Sequence, residues 1–106
     1  MLLQYNSTVG SPEGTPSEES HLLRMYYAYI LKSSKDNSYY YGSTKNLFSR
    51  LREHNYGHVK YTRAHRPYVI HYFETFESKN EAIRRELFFK SIDGYKWLRK
   101  NNVITI

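Results

Sequence analysis

The 106-residue sequence contains no cysteine, which excludes disulfide bonds and thiolate metal sites. No apolar run approaches the roughly 18 residues that a transmembrane helix requires. The amino terminus also lacks the basic start and apolar core of a secretory signal. We therefore expect an intracellular protein, cytoplasmic or nucleoid-associated, with no membrane partner.

Acidic residues are scarce after the first segment of the chain. Residues 1–24 carry one basic and three acidic side chains, whereas residues 25–106 carry 15 basic and 7 acidic ones, a net charge of +8. The chain is long enough for one domain, and this concentration of positive charge favours a polyanionic partner, nucleic acid before membrane. Charge alone is equally compatible with a soluble surface that has no such partner.

The amino-terminal segment has little to bury. Residues 6–20 are rich in Ser, Thr, Gly, Pro and Glu, a composition typical of disordered chain. The regular pattern of apolar residues begins at Met25. We therefore predict a disordered tail over residues 1–24 and a folded domain over residues 25–106.

Three strands are predicted from the aromatic and β-branched segments. The first runs from residue 25 to 32, and a turn at Asp36-Asn37 leads to an antiparallel second strand over residues 39–41. The third strand spans residues 68–76. Alternation places every second side chain of the first strand on one face of the sheet and the others on the opposite face.

A first helix is predicted from about residue 47 to 56, with Asn46 as its N-cap and Gly57 as its stop. At about 100° per residue, Arg50 and His54 lie roughly 40° apart at the border of its apolar stripe. A guanidinium and an imidazole fixed beside the end of a strand are suited to binding an anion.

Two further helices are predicted near the carboxyl terminus. The capping box from Ser78 to Glu81 starts a helix over about residues 79–91. We expect Asp93 or Gly94 to break it and a short third helix to follow over residues 95–101. The resulting order β-β-α-β-α-α describes an α+β domain, a small three-stranded antiparallel sheet flanked by helices.

Within this framework the sequence resembles the GIY-YIG nuclease superfamily over about residues 25–104. Tyr40-Tyr41-Gly42 is similar to the second signature triplet, and Tyr27-Ala28-Tyr29 to the first, although Tyr27 and Ala28 stand where the family has Gly and Ile. Arg50, ten residues after Tyr40, and His54, four residues later, fit the helix motif of the family. Glu86 fits its later glutamate. The resemblance implies the same fold and a nuclease activity.

Glu86 is the candidate metal ligand. On the second predicted helix it points along the apolar face, where an unpaired carboxylate is costly. One divalent ion, Mg²⁺ or Mn²⁺, would offset that cost and suits phosphate chemistry, as the resemblance also implies. The alternative is a structural ion pair with Lys79, Lys90 or a residue of the sheet.

The other catalytic roles are carried over from the resemblance. A cation such as the metal or Arg50 would favour the phenolate of Tyr40, which could then take a proton from the attacking water. Tyr29 would orient water or phosphate, Arg50 would clamp the scissile phosphate, and His54 would relay a proton or contact phosphate. Asn101 is the nearest candidate for a late asparagine of the family.

Basic side chains in and after the first helix form a candidate nucleic-acid surface, with Tyr56 and Tyr61 available for stacking. Its members are Lys45, Arg52, Lys60, Arg63, His65 and Arg66. His54 and His58, four residues apart, also permit a zinc site, but a third ligand is not evident.

We therefore expect a metal-dependent endonuclease that hydrolyses phosphodiester bonds in DNA, with RNA as a further possible substrate. It would act on a DNA structure or be targeted by a protein partner, in repair or recombination. Two alternatives remain at this point. One is a nucleic-acid-binding module on the same fold without cleavage, and the other is a protein-interaction adaptor that uses the aromatic surface.

Overall fold

The computed structural model describes residues 25–105, so the predicted tail over residues 1–24 lies outside the described part. Three strands and three α-helices follow one another in the predicted order in this range. None of these described helices is long and apolar enough to cross a membrane. The elements are β1 (Tyr26–Ser33), β2 (Tyr39–Thr44), α1 (Leu47–Asn55), a 3₁₀ turn (Arg63–His65), β3 (Tyr68–Phe76), α2 (Lys79–Phe89) and α3 (Ile92–Lys100).

The strands form one antiparallel sheet with β1 at its centre, in the order β2-β1-β3. Tyr29 of β1 pairs with Gly42 of β2 on one side and with Phe73 of β3 on the other. Strand β2 continues to Thr44, three residues beyond the predicted end, so Gly42 is a strand residue and not part of a turn. The predicted α+β class and three-stranded antiparallel sheet are confirmed.

The alternation predicted for β1 separates two cores. Ala28 and Ile30 belong to a core that includes Phe89 of α2 and Leu98 of α3. On the opposite face, Tyr29 and Leu31 pack with Leu47 of α1 and Tyr68 of β3. Helix α1 therefore covers one face of the sheet, and α2 and α3 cover the other.

Helix α1 begins and ends as predicted, apart from one residue at its end. The Asn46 side chain accepts a hydrogen bond from the Ser49 amide at 3.1 Å, and Gly57 follows with a φ of 81°. Asn55 fixes the end of the helix to β3, because its amide donates to the Tyr68 carbonyl and its oxygen accepts from the Tyr68 amide. These contacts hold the last turn of α1 against the sheet.

Helix α2 begins with the predicted capping box, in which the Ser78 hydroxyl accepts from the Glu81 amide at 3.2 Å and donates to its carboxylate at 2.9 Å. Further along the helix, Arg85 binds the buried Glu74 of β3 through two nitrogens, at 2.8 and 3.2 Å. A buried guanidinium–carboxylate pair of this geometry orients the helix strongly. The neighbouring Glu86 is thereby placed at a fixed position on the sheet.

The predicted break between the last two helices was wrong in position. Helix α2 ends at Phe89, and α3 begins at Ile92 rather than at residue 95, so Asp93 and Gly94 lie inside α3. Ser91 is the N-cap and accepts from the Gly94 amide at 3.0 Å. A Cβ on Gly94 would lie 1.7 Å from the Phe88 carbonyl oxygen. Gly94 thus permits close contact with the end of α2 and does not end a helix.

Candidate active site

Tyr29 lies at the centre of the site, on the face of β1 covered by α1. The residue is 1% exposed. Its ring crosses the backbone of β2 so closely that a Cβ on Gly42 would lie 2.5 Å from both Cζ and the hydroxyl oxygen. The glycine of the second signature triplet is therefore required by the position of the tyrosine of the first.

The imidazole of His54, in the last turn of α1, is fully buried and has a partner at each nitrogen. Nε2 lies 3.1 Å from the Tyr29 hydroxyl, and Nδ1 lies 2.8 Å from the Thr62 hydroxyl. Thr62 can in turn donate its hydrogen to the Val59 carbonyl at 3.3 Å. With the ring hydrogen at Nδ1, the Thr62 oxygen accepts it and Nε2 accepts the hydrogen of Tyr29; with the ring hydrogen at Nε2, both hydrogen bonds have the opposite direction.

Burial governs the ionisation of this pair. It lowers the pKa of His54 to about 4, and the positive charge of Arg50 acts in the same direction, so the imidazole is neutral at neutral pH. Burial also raises the pKa of Tyr29, although the adjacent Arg50 guanidinium opposes that increase. The resting state is thus a phenol at hydrogen-bond distance from a neutral imidazole.

Tyr40 and Arg50 form the more accessible side of the site. The half-buried ring of Tyr40 lies 4.8 Å from the His54 ring and 6.4 Å from the Tyr29 ring, between centroids. The Arg50 side chain is 36% exposed and donates to Glu53 at 2.7 Å. Four of the five predicted catalytic side chains are therefore neighbours on one face of the sheet.

Glu86, the fifth, is on α2 across the sheet, where its side chain is 19% exposed. Its carboxylate accepts from the Ser43 hydroxyl at 2.7 Å and from the Lys90 ammonium at 2.6 Å. The ion pair with Lys90 is one of the alternatives that the sequence left open. The negative charge of Glu86 is also near enough to Tyr29 to raise the pKa of that hydroxyl.

Ser43 connects the two parts of the site and was not among the predicted residues. It follows Gly42 directly in β2 and pairs with Ala28, so its side chain points to the face that α2 covers. A groove of about 320 Å³ opens beside it, lined also by Lys45 and Lys79. Its position next to the second signature triplet, with strand alternation, is the signal that could have identified Ser43.

Glu86 offers a magnesium-like ion one protein carboxylate, to which Ser43 and Lys90 already donate. Residues 25–105 contain no group of three or more His, Asp or Glu side chains that could enclose a metal. Mg²⁺ commonly retains several waters and binds one or two carboxylates together with substrate phosphates. Such an ion would take the place of the Lys90 ammonium at the Glu86 carboxylate. The alternative zinc site does not form, because both nitrogens of His54 are already engaged.

Most of the predicted basic surface is exposed, and several of its members have partners within the protein. The exposed residues are Lys45, Arg52, Lys60, Arg63 and Arg66. Arg52 donates to the Ser49 hydroxyl at 3.2 Å, and Arg63 donates to the Gly57 carbonyl at 2.8 Å. His65 binds Asp36 at 2.6 Å. The Arg66 guanidinium packs over Gly57.

Asn101, the candidate for the late asparagine of the family, is at the end of α3, where its side-chain amide donates to the Trp97 carbonyl.

The structure is a small α+β domain in which Tyr29, Tyr40, Arg50 and His54 are neighbours on one face of the sheet and Glu86 lies across it. A family model for the GIY-YIG catalytic domain matches residues 25–100, and the chain belongs to that family. Members of the family are generally endonucleases.

Similar proteins come from several bacteria and share the name UPF0213. The chain is 45% identical over 75 residues to a UPF0213 protein of Staphylococcus haemolyticus, covering 70% of this chain and 90% of that one. It is 38% identical over 89 residues to one of Pediococcus pentosaceus, covering 80% and 93%. A solution NMR structure of a UPF0213 protein from Bacillus halodurans matches with a TM-score of 0.44 and 34% identity, covering 72% of this chain and 83% of that one.

Proposed function

We propose that the protein is a divalent-metal-dependent endonuclease that hydrolyses phosphodiester bonds in DNA. The observation that carries this proposal is the buried Tyr29–His54 pair, in which Nε2 of a neutral imidazole lies 3.1 Å from the hydroxyl of a phenol. A phenol and an acceptor held at hydrogen-bond distance are the parts needed for general base catalysis. The family membership supports the same conclusion.

Tyr29 acts as the base in this proposal. As water attacks the phosphorus, its proton passes to the Tyr29 oxygen while the hydrogen of Tyr29 passes to Nε2 of His54. The leaving oxygen takes a proton from solvent. From the sequence we expected Tyr40 in this role and Tyr29 in orienting water or phosphate. The hydrogen bond to His54 favours the exchange of these roles, with the more accessible Tyr40 in contact with substrate.

Arg50 clamps the scissile phosphate and stabilises the charge that develops on it. Its present partner Glu53 is largely exposed, and an exposed ion pair contributes only about 0–1 kcal/mol. A phosphate offers the guanidinium two charge-assisted hydrogen bonds in place of one carboxylate contact. Exchange of Glu53 for phosphate is therefore favourable once DNA is bound.

Glu86 would hold the metal, with its carboxylate oriented by the Ser43 hydroxyl. Mg²⁺ or Mn²⁺ bound there would neutralise negative charge of the phosphate. The groove beside Ser43, with Lys45 and Lys79 at its walls, guides the strand away from the site. The exposed Arg52 and Lys60 bind further backbone phosphates, which carries no sequence preference and suits a structured or partner-delivered substrate.

The test is a cleavage screen over flapped, branched and damaged duplexes, with and without Mg²⁺ or Mn²⁺. We expect metal-dependent cleavage of at least one substrate, which Tyr29→Phe and Glu86→Gln both abolish. Tyr61→Phe, at a tyrosine that is 85% exposed, is the matched control and should cut normally. A Glu86→Gln variant that cuts like wild type would contradict the catalytic assignment.

A second candidate is a nucleic-acid-binding module on the same fold that does not cleave. It is favoured by the ion pairs that Arg50 and Glu86 already make, with Glu53 and Lys90. The same screen separates the two candidates. Binding of DNA at low salt without cleavage of any substrate, in either metal, would identify the binding module.

A further inference from the structure

Thr62 is at a position where a threonine side chain ordinarily caps a helix. It is the N-cap of the 3₁₀ turn Arg63–His65, and side chains at N-caps usually accept a hydrogen bond from the first turn. Within the described residues, however, the Thr62 side chain makes no capping hydrogen bond. The residue is 1% exposed, so its hydroxyl requires partners inside the protein.

Those partners are His54 and the Val59 carbonyl, and together they favour one direction for each hydrogen bond. A carbonyl can only accept, so Val59, at 3.3 Å, offers an acceptor to the Thr62 hydroxyl hydrogen, although the same carbonyl also accepts from the Thr62 amide at 3.2 Å. With its hydrogen directed to Val59, the Thr62 oxygen accepts from Nδ1–H of His54, at 2.8 Å. A neutral His54 with its single ring hydrogen at Nδ1 has its lone pair at Nε2.

The opposite end of the imidazole is compatible with the same assignment. Nε2 faces the Tyr29 hydroxyl, which can donate to a bare Nε2 and can also accept from Nε2–H. We propose that Thr62 is a positioning residue that holds His54 in the Nδ1–H tautomer and so keeps Nε2 ready to accept the proton of Tyr29. This inference rests on the proposed function only for its catalytic consequence, because the tautomer itself is a property of the free protein.

The alternative is that Thr62 does no more than fill a buried polar position. In that case His54 would keep its tautomer when the hydroxyl is removed, because the Tyr29 contact alone would select it. Loss of the threonine would then affect stability without changing the proton position. The two interpretations therefore differ in a spectroscopic quantity that does not depend on cleavage.

The experiment records ¹⁵N–¹H correlation spectra of the His54 ring in the metal-free protein, in wild type, Thr62→Val and Thr62→Ser. We expect a protonated Nδ1 and a bare Nε2 in wild type and in Thr62→Ser, which retains the hydroxyl. Thr62→Val has nearly the same shape without the acceptor, and in it we expect hydrogen at Nε2. Thr105→Val, at an exposed threonine, is the control and should match wild type.

Turnover provides the second readout. General base catalysis typically contributes about 10²–10⁴-fold, so we expect Thr62→Val to lower kcat by at least about tenfold and Thr62→Ser to retain most of it. A buried hydroxyl is hard to remove without loss of stability, so Thr62→Ala is measured as well and should show the same Nε2–H tautomer.

The possible outcomes separate the two proposals. A wild-type spectrum with hydrogen at Nε2, or a Thr62→Val variant that keeps it at Nδ1, would overturn the role of Thr62. If Thr62→Val does not fold, Thr62→Ala decides in its place, because it also removes the hydroxyl. If the tautomer changes as expected but no substrate is cut by wild type, the positioning role stands and the nuclease proposal fails.

Discussion

At the scale of single residues, the proposal that Tyr29 is the base meets a difficulty at neutral pH. An ordinary tyrosine has a pKa near 10, and burial raises that of Tyr29 further, so a preformed phenolate is not available. In the proposed mechanism the adjacent neutral His54 makes a phenolate unnecessary, because Tyr29 would release its own proton as it receives another. The basicity would then reside in the pair and not in the phenol.

The depressed pKa of His54 predicts how stability depends on pH. The folded pKa of about 4 lies below the ordinary value of 6.5, so between these values the unfolded chain binds a proton that the folded protein does not. The contribution of His54 to the free energy of unfolding is therefore fully present above about pH 6.5 and is lost as the pH falls toward 4. Urea unfolding at a series of pH values measures this loss.

Two variants assign the loss to His54. In His54→Gln, the free energy of unfolding should depend much less on pH in this range. A residual slope should remain from His71, because burial lowers the pKa of that residue as well. His58→Gln, at an exposed histidine, should keep the slope of wild type. The assignment would be refuted by an unchanged slope in His54→Gln.

Gly42 gives a second prediction at this scale. A methyl group there would lie 2.5 Å from the Tyr29 ring, and overpacking of this kind typically costs about 1–3 kcal/mol. Gly42→Ala should therefore lower the free energy of unfolding and displace Tyr29 from His54. Chemical denaturation and the His54 ring spectra measure the two effects.

A double-mutant cycle checks the cause. If the Tyr29 ring is the obstacle, Gly42→Ala should cost much less in a Tyr29→Leu background than in wild type. Additive losses would mean that the methyl group is accommodated elsewhere and that the glycine serves another purpose.

At the scale of secondary-structure elements, two of the three helices bring candidate site residues to the sheet. Helix α1 supplies Arg50 and His54 and is fixed by the two Asn55–Tyr68 hydrogen bonds. Helix α2 supplies Glu86 and is fixed by the Arg85–Glu74 pair. Each candidate residue on a helix thus lies within a few residues of a contact that anchors that helix, which favours a preorganised site.

At Gly94 in helix α3, helix propensity and packing predict opposite effects of an alanine substitution on stability. Replacing glycine by alanine inside a helix normally stabilises it by about 1 kcal/mol. At Gly94 the added Cβ would meet the Phe88 carbonyl oxygen at 1.7 Å, which a side-chain rotation cannot relieve. Gly94→Ala should therefore destabilise the protein, as a lower urea midpoint would show.

Lys96→Ala is the matched control for that experiment, since Lys96 is an exposed position of the same helix. Surface substitutions of this kind usually change stability by less than about 0.5 kcal/mol. If Gly94→Ala proved as stable as this control, the close approach of α2 and α3 would not be the reason for glycine.

At the scale of the whole molecule, the net charge of +8 on residues 25–106 predicts electrostatic binding of DNA. Release of counterions should weaken binding by more than about tenfold between roughly 50 and 200 mM salt, as fluorescence anisotropy can measure. The slope of the logarithm of the binding constant against the logarithm of the salt concentration reports the number of phosphates bound. Replacing Arg52 or Lys60 by Gln should reduce that slope by about one for each phosphate that the protein no longer binds. Binding that does not depend on salt, or none at low salt, would reject the nucleic-acid proposal.

The sequence by itself determined the architecture and the identity of the principal side chains. Alternation in β1, the caps at Asn46 and Ser78 and the order of elements are local signals, and they were sufficient for the α+β fold. The signature triplets, with Arg50 and His54 at fixed spacing, indicated the family that the matching family model confirms. These features could be predicted because they depend on neighbours within a few residues along the chain.

Only the tertiary structure decided which of these side chains contact one another. Thr62 and Ser43 are inconspicuous in the sequence, yet they bind His54 and Glu86 across separations of 8 and 43 residues. Likewise, Gly94 has the sequence features of a helix break, and its role is set by the Phe88 carbonyl of the preceding helix. The direction of a hydrogen bond and the burial that shifts a pKa depend on packing between elements, which local pattern does not specify.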